Sequence, residues 1–114
     1  MNEFTVGLDI GQSNDPTALV AVEKVDDNPT IYHLRHVERF ELGTPYPEVV
    51  TRVAELMQTE PLQGNDLVVD ATGVGRPIVE MVKQEGFHPH SIWITGGDSV
   101  SRDGREYRVP KREL

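Results

Sequence analysis

Residues 4–23 read FTVGLDIGQSNDPTALVAVE, and this stretch decides the fold class. In its first seven residues four apolar side chains alternate with Thr5, Gly7 and Asp9. That period of two is typical of a strand with one buried face. The next letters, QSNDP, are turn formers, and the closing TALVAVE is apolar on both faces. The stretch therefore predicts two strands joined by a turn.

The rest of the chain extends this pair of strands into a mixed α/β domain. A third stretch rich in strand formers completes a predicted antiparallel meander, and the apolar period then becomes helical. The first helix is expected to have Thr44 as its cap and Pro45 in its first turn. Further strands are predicted at 31–42, 67–70 and 91–95, and helices at 46–59 and from Pro77 to Gly86. The order βββαβαβ predicts a mixed five-stranded sheet with flanking helices.

Length and composition limit the function classes. The 114 residues are enough for a single small domain, and no apolar run is long enough to span a bilayer. The N-terminus lacks the basic region of a signal peptide. Because cysteine is absent, disulfide scaffolds, thiolate metal sites and cysteine nucleophiles are excluded. The chain is expected to work in a reducing compartment, without a membrane partner.

Charge is unevenly distributed along the chain. The net charge is −8, so tight binding of nucleic acid through overall charge is not expected. Residues 102–114 nevertheless carry five basic and three acidic side chains. We expect residues 97–114 to form a basic loop or tail on an acidic body. Residues 109–114 resemble the start of a further element, so we expect the domain to be incomplete at its C-terminus.

Two aspartates stand where chemistry is expected. Asp9 is predicted in the middle of the first strand, between Gly7 and Gly11, which leave room for a ligand to approach the backbone. Burying a carboxylate there is costly unless it is paired or binds a metal. Asp70 ends the strand LVVD, and the carboxyl ends of strands in α/β sheets are where ligands bind. Either aspartate could instead bond only to its own turn.

If the first and fourth strands are neighbours, these two carboxylates converge at one end of the sheet. Oxygen ligands without cysteine suggest a hard cation, Mg²⁺ or Mn²⁺. Such ions activate water and stabilise the leaving oxygen of a phosphodiester. Asp15 is a candidate third metal residue, as a ligand through water or as an outer-shell group, although an Asx-turn role before Pro16 is the favoured explanation.

The turn after Asp70 offers a possible phosphate site. Thr72, Gly73 and Gly75 precede a helix, whose N-terminal N–H groups attract anions, and Arg76 adds positive charge. The third glycine of a dinucleotide fingerprint is missing, and no GK[ST] follows as in a P-loop. Simple turn chemistry is the alternative explanation.

Three segments together resemble a known family: GLDIGQSNDPTALVAVE, LVVDATGVGRPIVEMV and VPKREL. The sequence looks like the nuclease domain of phage large terminase subunits, which package DNA, and the resemblance spans essentially the whole chain. It implies an RNase H-like fold and two-metal hydrolysis of double-stranded DNA. By the same resemblance, Asp9 and Asp70 match two of the family's three acidic ligands for Mg²⁺ or Mn²⁺. The resemblance also implies partners, namely double-stranded DNA, other terminase segments or subunits and the portal. It implies a protein encoded by a phage or prophage and located in the bacterial cytoplasm.

The family's third ligand lies further downstream than this sequence extends. Asp98 and Asp103 come too early to match it, so activity of this chain alone does not follow from the resemblance. On this interpretation the phosphate contacts are basic side chains near the C-terminal end. They are Arg102, Arg105, Arg108, Lys111 and Arg112.

Three alternatives remain open on sequence grounds. Another RNase H-like nuclease, such as a Holliday-junction resolvase, also opens with a G-[LI]-D-[IL]-G strand. An actin-like or sugar-kinase ATPase fragment shares a DIG motif, although Asp15 and Pro16 fit it poorly. A non-catalytic module that docks a packaging partner would carry the same aspartates without using them.

Overall fold

A computed structural model describes residues 3–11, 14–73 and 75–114 of the chain. Residues 12 and 13 of the first predicted turn and Val74 of the second therefore lie outside the described residues. The elements, in chain order, are β1 (Glu3–Asp9), β2 (Ala18–Asp27), β3 (Thr30–Arg39), α1 (Tyr46–Met57), β4 (Asp66–Asp70), α2 (Gly75–Gln84), β5 (His90–Thr95), β6 (Ser101–Asp103), β7 (Glu106–Pro110) and a 3₁₀ turn (Lys111–Glu113).

The strands of the described residues form one mixed sheet in the order β3-β2-β1-β4-β5-β7-β6. Strands β1 to β3 make the expected antiparallel meander. Strand β4 then lies parallel to β1, β5 parallel to β4, and β7 parallel to β5. The mixed α/β class is confirmed, and the first and fourth strands are neighbours, which is the condition for Asp9 and Asp70 to converge.

The predicted count of five strands is wrong, because the segment at 97–114 is not a loop. It contains the hairpin of β6 and β7, turning at Gly104 with φ of +61°, and then the 3₁₀ turn. The sequence pattern hides this hairpin because β6 is three exposed polar residues at the sheet edge. Such short, charged edge strands lack the apolar alternation by which strands are recognised.

Both helices pack on one face of the sheet. Helix α1 begins after Pro45, and the hydroxyl of Thr44 donates to the carbonyl of Glu41 instead of capping the helix as predicted. Helix α2 begins at Gly75, two residues before the predicted start. The core lies between the helices and the sheet, and its largest fully buried side chains include Val6, Leu19, Val49, Val53, Val69, Ile78, Val79 and Val82.

The sheet face opposite the helices carries the side chains that alternate with the core residues along each strand. We call it the open face. On β1 this face presents Thr5, Gly7 and Asp9, because Val6 and Leu8 point into the core. On β3 it presents Tyr32, Leu34 and Val37, which are 59%, 61% and 56% exposed. Within the described residues, neither helix has the length and apolar character needed to cross a bilayer.

Candidate functional site

Asp9 and Asp70 meet at the carboxyl ends of β1 and β4. They are the last residues of their strands and directly paired in the parallel register. Neighbouring strands lie about 4.8 Å apart, so the two side chains leave the open face side by side. The expectation that Asp9 sits in mid-strand is wrong, because β1 ends at that residue. This end position brings its carboxylate level with that of Asp70.

The turn after β4 fixes Asp70. The backbone N–H of Thr72 donates to Oδ1 of Asp70 at 3.0 Å, while the N–H of Ile94 on β5 donates to the Thr72 hydroxyl at 2.8 Å. Strand β5 therefore holds the turn that orients the carboxylate. The N–H of Gly75 donates to the carbonyl of Ala71, so it is already used within the turn. Two N–H groups of the predicted phosphate site, those of Thr72 and Gly75, thus already have acceptors within the turn.

Two glycines in the site permit close backbone packing. A Cβ on Gly11 would stand 1.9 Å from the carbonyl oxygen of Asp15, so the chain after β1 folds against the Asp15–Pro16 segment. The N–H of Gly11 also donates to the hydroxyl of the buried Thr17. A Cβ on Gly75 would stand 2.4 Å from that of Ala71, which lets α2 begin tightly against the end of β4. Both positions keep their elements close to the paired aspartates.

The electrostatics at the strand ends favour a cation. Partial burial raises the pKa of Asp9, and the negative charges of Asp70 and then Asp15 raise it further. A positive ion placed between these carboxylates would relieve the repulsion that the raised pKa reflects. The aspartates open into a cleft of about 840 Å³, which Asp15 and Thr72 also line.

The oxygen donors at the strand ends are of the kind that the expected metal prefers. Two adjacent carboxylates are hard oxygen donors and fit one Mg²⁺ or Mn²⁺ ion that keeps several waters. Throughout residues 3–11, 14–73 and 75–114, however, no group of three or more Asp, Glu or His side chains is arranged to hold a metal ion. Asp9 and Asp70 are the two carboxylates whose chemistry fits one such ion, and Asp15 lines the same cleft without completing a group of three among the described residues.

Of the basic residues singled out from the sequence, only Lys111 lines this cleft. Arg76 lies on α2 instead, where it bonds to Glu106 at 2.6 Å and stacks 5.0 Å from the centre of the Trp93 ring. The remaining four basic residues lie on β6 and β7 or next to these strands. Arg102 donates to the Gly104 carbonyl, Arg105 to the His88 carbonyl and Arg112 to the Asp98 carbonyl, and Arg108 is exposed on β7.

Sequence reasoning missed one cleft residue, Arg39. It ends β3 and pairs with Ala18 of β2, which in turn pairs with Asp9. Arg39, Ala18, Asp9 and Asp70 therefore form one row across four strands on the open face. No local motif surrounds Arg39 that could have revealed this, since its place depends on the register of the meander.

No protein-family model matches the chain, and no curated protein matches it significantly.

Proposed function

We propose that this domain is a Mg²⁺- or Mn²⁺-dependent nuclease of the RNase H-like class, acting on DNA as the nuclease domain of a packaging terminase does. The observation that carries the proposal is the direct pairing of Asp9 with Asp70 at the ends of two parallel strands. The meander followed by the parallel strands β4 and β5 is compatible with that fold class.

In this proposal the residues of the chain bind the metal ion and orient its carboxylate ligands. A divalent ion, when bound, polarises a phosphodiester oxygen and lowers the pKa of its bound water. Asp9 and Asp70 would hold that ion, and the Thr72 N–H would keep Asp70 aimed at it. Because Asp15 lines the cleft but completes no metal-holding group of three among the described residues, we propose that Asp9 and Asp70 bind one ion.

Calorimetric titration with MnCl₂, paired with a supercoiled-plasmid nicking assay, tests the proposal. We expect saturable Mn²⁺ binding that Asp9→Asn and Asp70→Asn each abolish. Asp66→Asn is the matched control, because Asp66 lies on the same strand and face as Asp70 but at the opposite end of β4. If Mn²⁺ binds equally well to both site variants, or if the control loses binding too, the shared site is refuted. Nicking that both site variants lose would establish the nuclease.

The exposed apolar side chains of β3 favour a second candidate, a non-catalytic docking module. Tyr32, Leu34 and Val37 form a contiguous row on the open face, and such exposed apolar patches mark interaction sites. This candidate predicts neither Mn²⁺ binding nor nicking. It predicts instead self-association, measured by light scattering, that Leu34→Ser weakens and Asp9→Asn leaves unchanged.

A further inference from the structure

Two cations flank the paired aspartates without a partner among the described residues. Arg39 and Lys111 line the same cleft as Asp9 and Asp70, both are exposed, and neither makes an ion pair or side-chain hydrogen bond with any described residue. Most other arginines differ: those at 35, 52, 76 and 112 pair with carboxylates, and those at 102 and 105 donate to backbone carbonyls. The cleft therefore combines an acidic centre with two positive charges that no described residue pairs with.

Sheet topology sets the backbones of these two residues far apart and on opposite sides of the acidic centre. Arg39 ends β3, two strands from β1. Lys111 follows β7, two strands beyond β4. At about 4.8 Å per strand, the two backbones are about 24 Å apart, with Asp9 and Asp70 near the midpoint. A backbone separation of this size favours a ligand with several phosphates over one with a single phosphate.

The cleft surface between the two cations has room for an extended ligand. Ala18 separates Arg39 from Asp9, and on the other side the cleft is lined by Ile94 and Gly96 before Lys111. These side chains are small or apolar and offer no competing charge. A chain of phosphates could therefore cross the strand ends at right angles to the strands, touching a cation at each side.

We propose that Arg39 and Lys111 bind two phosphates of a single nucleic-acid strand that crosses the cleft, one upstream and one downstream of the reacting phosphate. This inference rests on the proposed function, since it places the reacting phosphate above Asp9 and Asp70. The ligand is a polyanion, because the span corresponds to about seven nucleotides at the 3.4 Å rise of a B-form strand, and fewer if the strand is extended. Mononucleotides and dinucleotides can occupy only one of the two contacts.

Fluorescence anisotropy with a labelled oligothymidylate of about twelve nucleotides, in Ca²⁺ and at several salt concentrations, tests this assignment. We expect Arg39→Gln and Lys111→Gln each to weaken binding about three- to tenfold and to reduce the salt slope by about one. Arg76→Gln is the control, because Arg76 pairs with Glu106 away from the cleft. An unlabelled oligonucleotide of about eight nucleotides should compete at concentrations where a dinucleotide does not.

Two results would overturn the inference. One is equal loss of binding in the Arg76→Gln control and the two cleft variants. The other is a dinucleotide that competes as well as the longer strand, which would indicate a site for one phosphate only.

The Mn²⁺ titration separates this inference from the proposed function. Arg39→Gln and Lys111→Gln should bind Mn²⁺ at least as tightly as the parent chain, since neither is a metal ligand. Loss of oligonucleotide binding in these variants supports the cation assignment even if the parent binds no Mn²⁺ and nicks no plasmid. Unchanged oligonucleotide binding refutes the assignment even if Mn²⁺ binding and nicking are found. Thermal melts of each variant verify folding.

Discussion

Asp9 and Asp70 lie directly opposite each other on neighbouring parallel strands, and each is the last residue of its strand. The pairing places two like charges side by side, and together with partial burial it raises the pKa of Asp9. A group arranged for binding in this way opposes folding when its ligand is absent. The repulsion between the two carboxylates should therefore lower the free energy of unfolding of the metal-free chain.

We expect Asp9→Asn to stabilise the metal-free domain at pH 7 by a few tenths to about 1 kcal/mol, a modest gain because the side chain is partly solvated. A raised pKa in the folded state means that the charged form opposes folding. The gain should thus vanish below the ordinary Asp pKa of 3.8 and reach its full size once the pH exceeds the raised value. Urea unfolding at several pH values measures it. A variant less stable than the parent at neutral pH would contradict the repulsion argument.

The hydroxyl of Thr72 links the turn after β4 to β5, since it accepts the N–H of Ile94 at 2.8 Å. We expect Thr72→Val to cost about 1 kcal/mol, because that half-buried N–H loses its acceptor. Thr72→Ser keeps the hydroxyl and should retain most of the stability. Equal losses in the two variants would show that the methyl packing, and not the hydrogen bond, holds the turn.

The loop after β1 has no room for a side chain at Gly11. A Cβ there would stand 1.9 Å from the Asp15 carbonyl oxygen and 2.5 Å from the carbonyl carbon of Pro16. We expect Gly11→Ala to cost about 1–3 kcal/mol in thermal or urea unfolding, because the backbone must move.

Gly96 is the matched control for Gly11, because it lines the same cleft and nothing lies within 4 Å of an added Cβ. We expect Gly96→Ala to change the stability by no more than about 0.5 kcal/mol. If the two alanine variants unfold alike, the close approach of the loop is not what requires glycine at residue 11.

An ion pair outside the site ties β3 to α1. Arg52 donates to both carboxylate oxygens of Glu38, and His36 bonds to the same carboxylate. Hydrogen bonding to Arg52, followed by that to His36, lowers the pKa of Glu38 from 4.5 to about 2. A lowered folded-state pKa stabilises the fold above the ordinary pKa, and the contribution is lost as the pH falls from 4.5 toward about 2.

We therefore expect Glu38→Gln to destabilise the domain at pH 7 by at most about 1 kcal/mol, since Arg52 is partly exposed to solvent. The difference between variant and parent should disappear near pH 2. Thermal melts at neutral and acidic pH provide the measurement, with Glu55→Gln as a comparison because Glu55 contacts Arg52 from a more exposed position. A pH-independent difference would indicate lost packing instead of lost charge.

The local pattern of apolar residues was sufficient to predict most of the strands and helices. The strict alternation in β1, the apolar β2 and the helical period of α1 depend on short-range burial, so the meander and the first helix were predicted within a few residues. The polar β6 lacks such a pattern and was missed. Its strand is formed by pairing with β7, which no window of a few residues contains.

The two carboxylates, the turn formers that follow them and the alternation that puts Asp9 on the face away from the core are all legible in the local sequence. Which charges share the cleft depends on how distant strands pair. Parallel pairing of β1 with β4 brings Asp9 to Asp70 across 60 intervening residues, and the register of the meander adds Arg39 to the same row. The physical reason is that cross-strand neighbours are set by hydrogen-bond register, which depends on the packing of the whole sheet and leaves no local mark at Arg39.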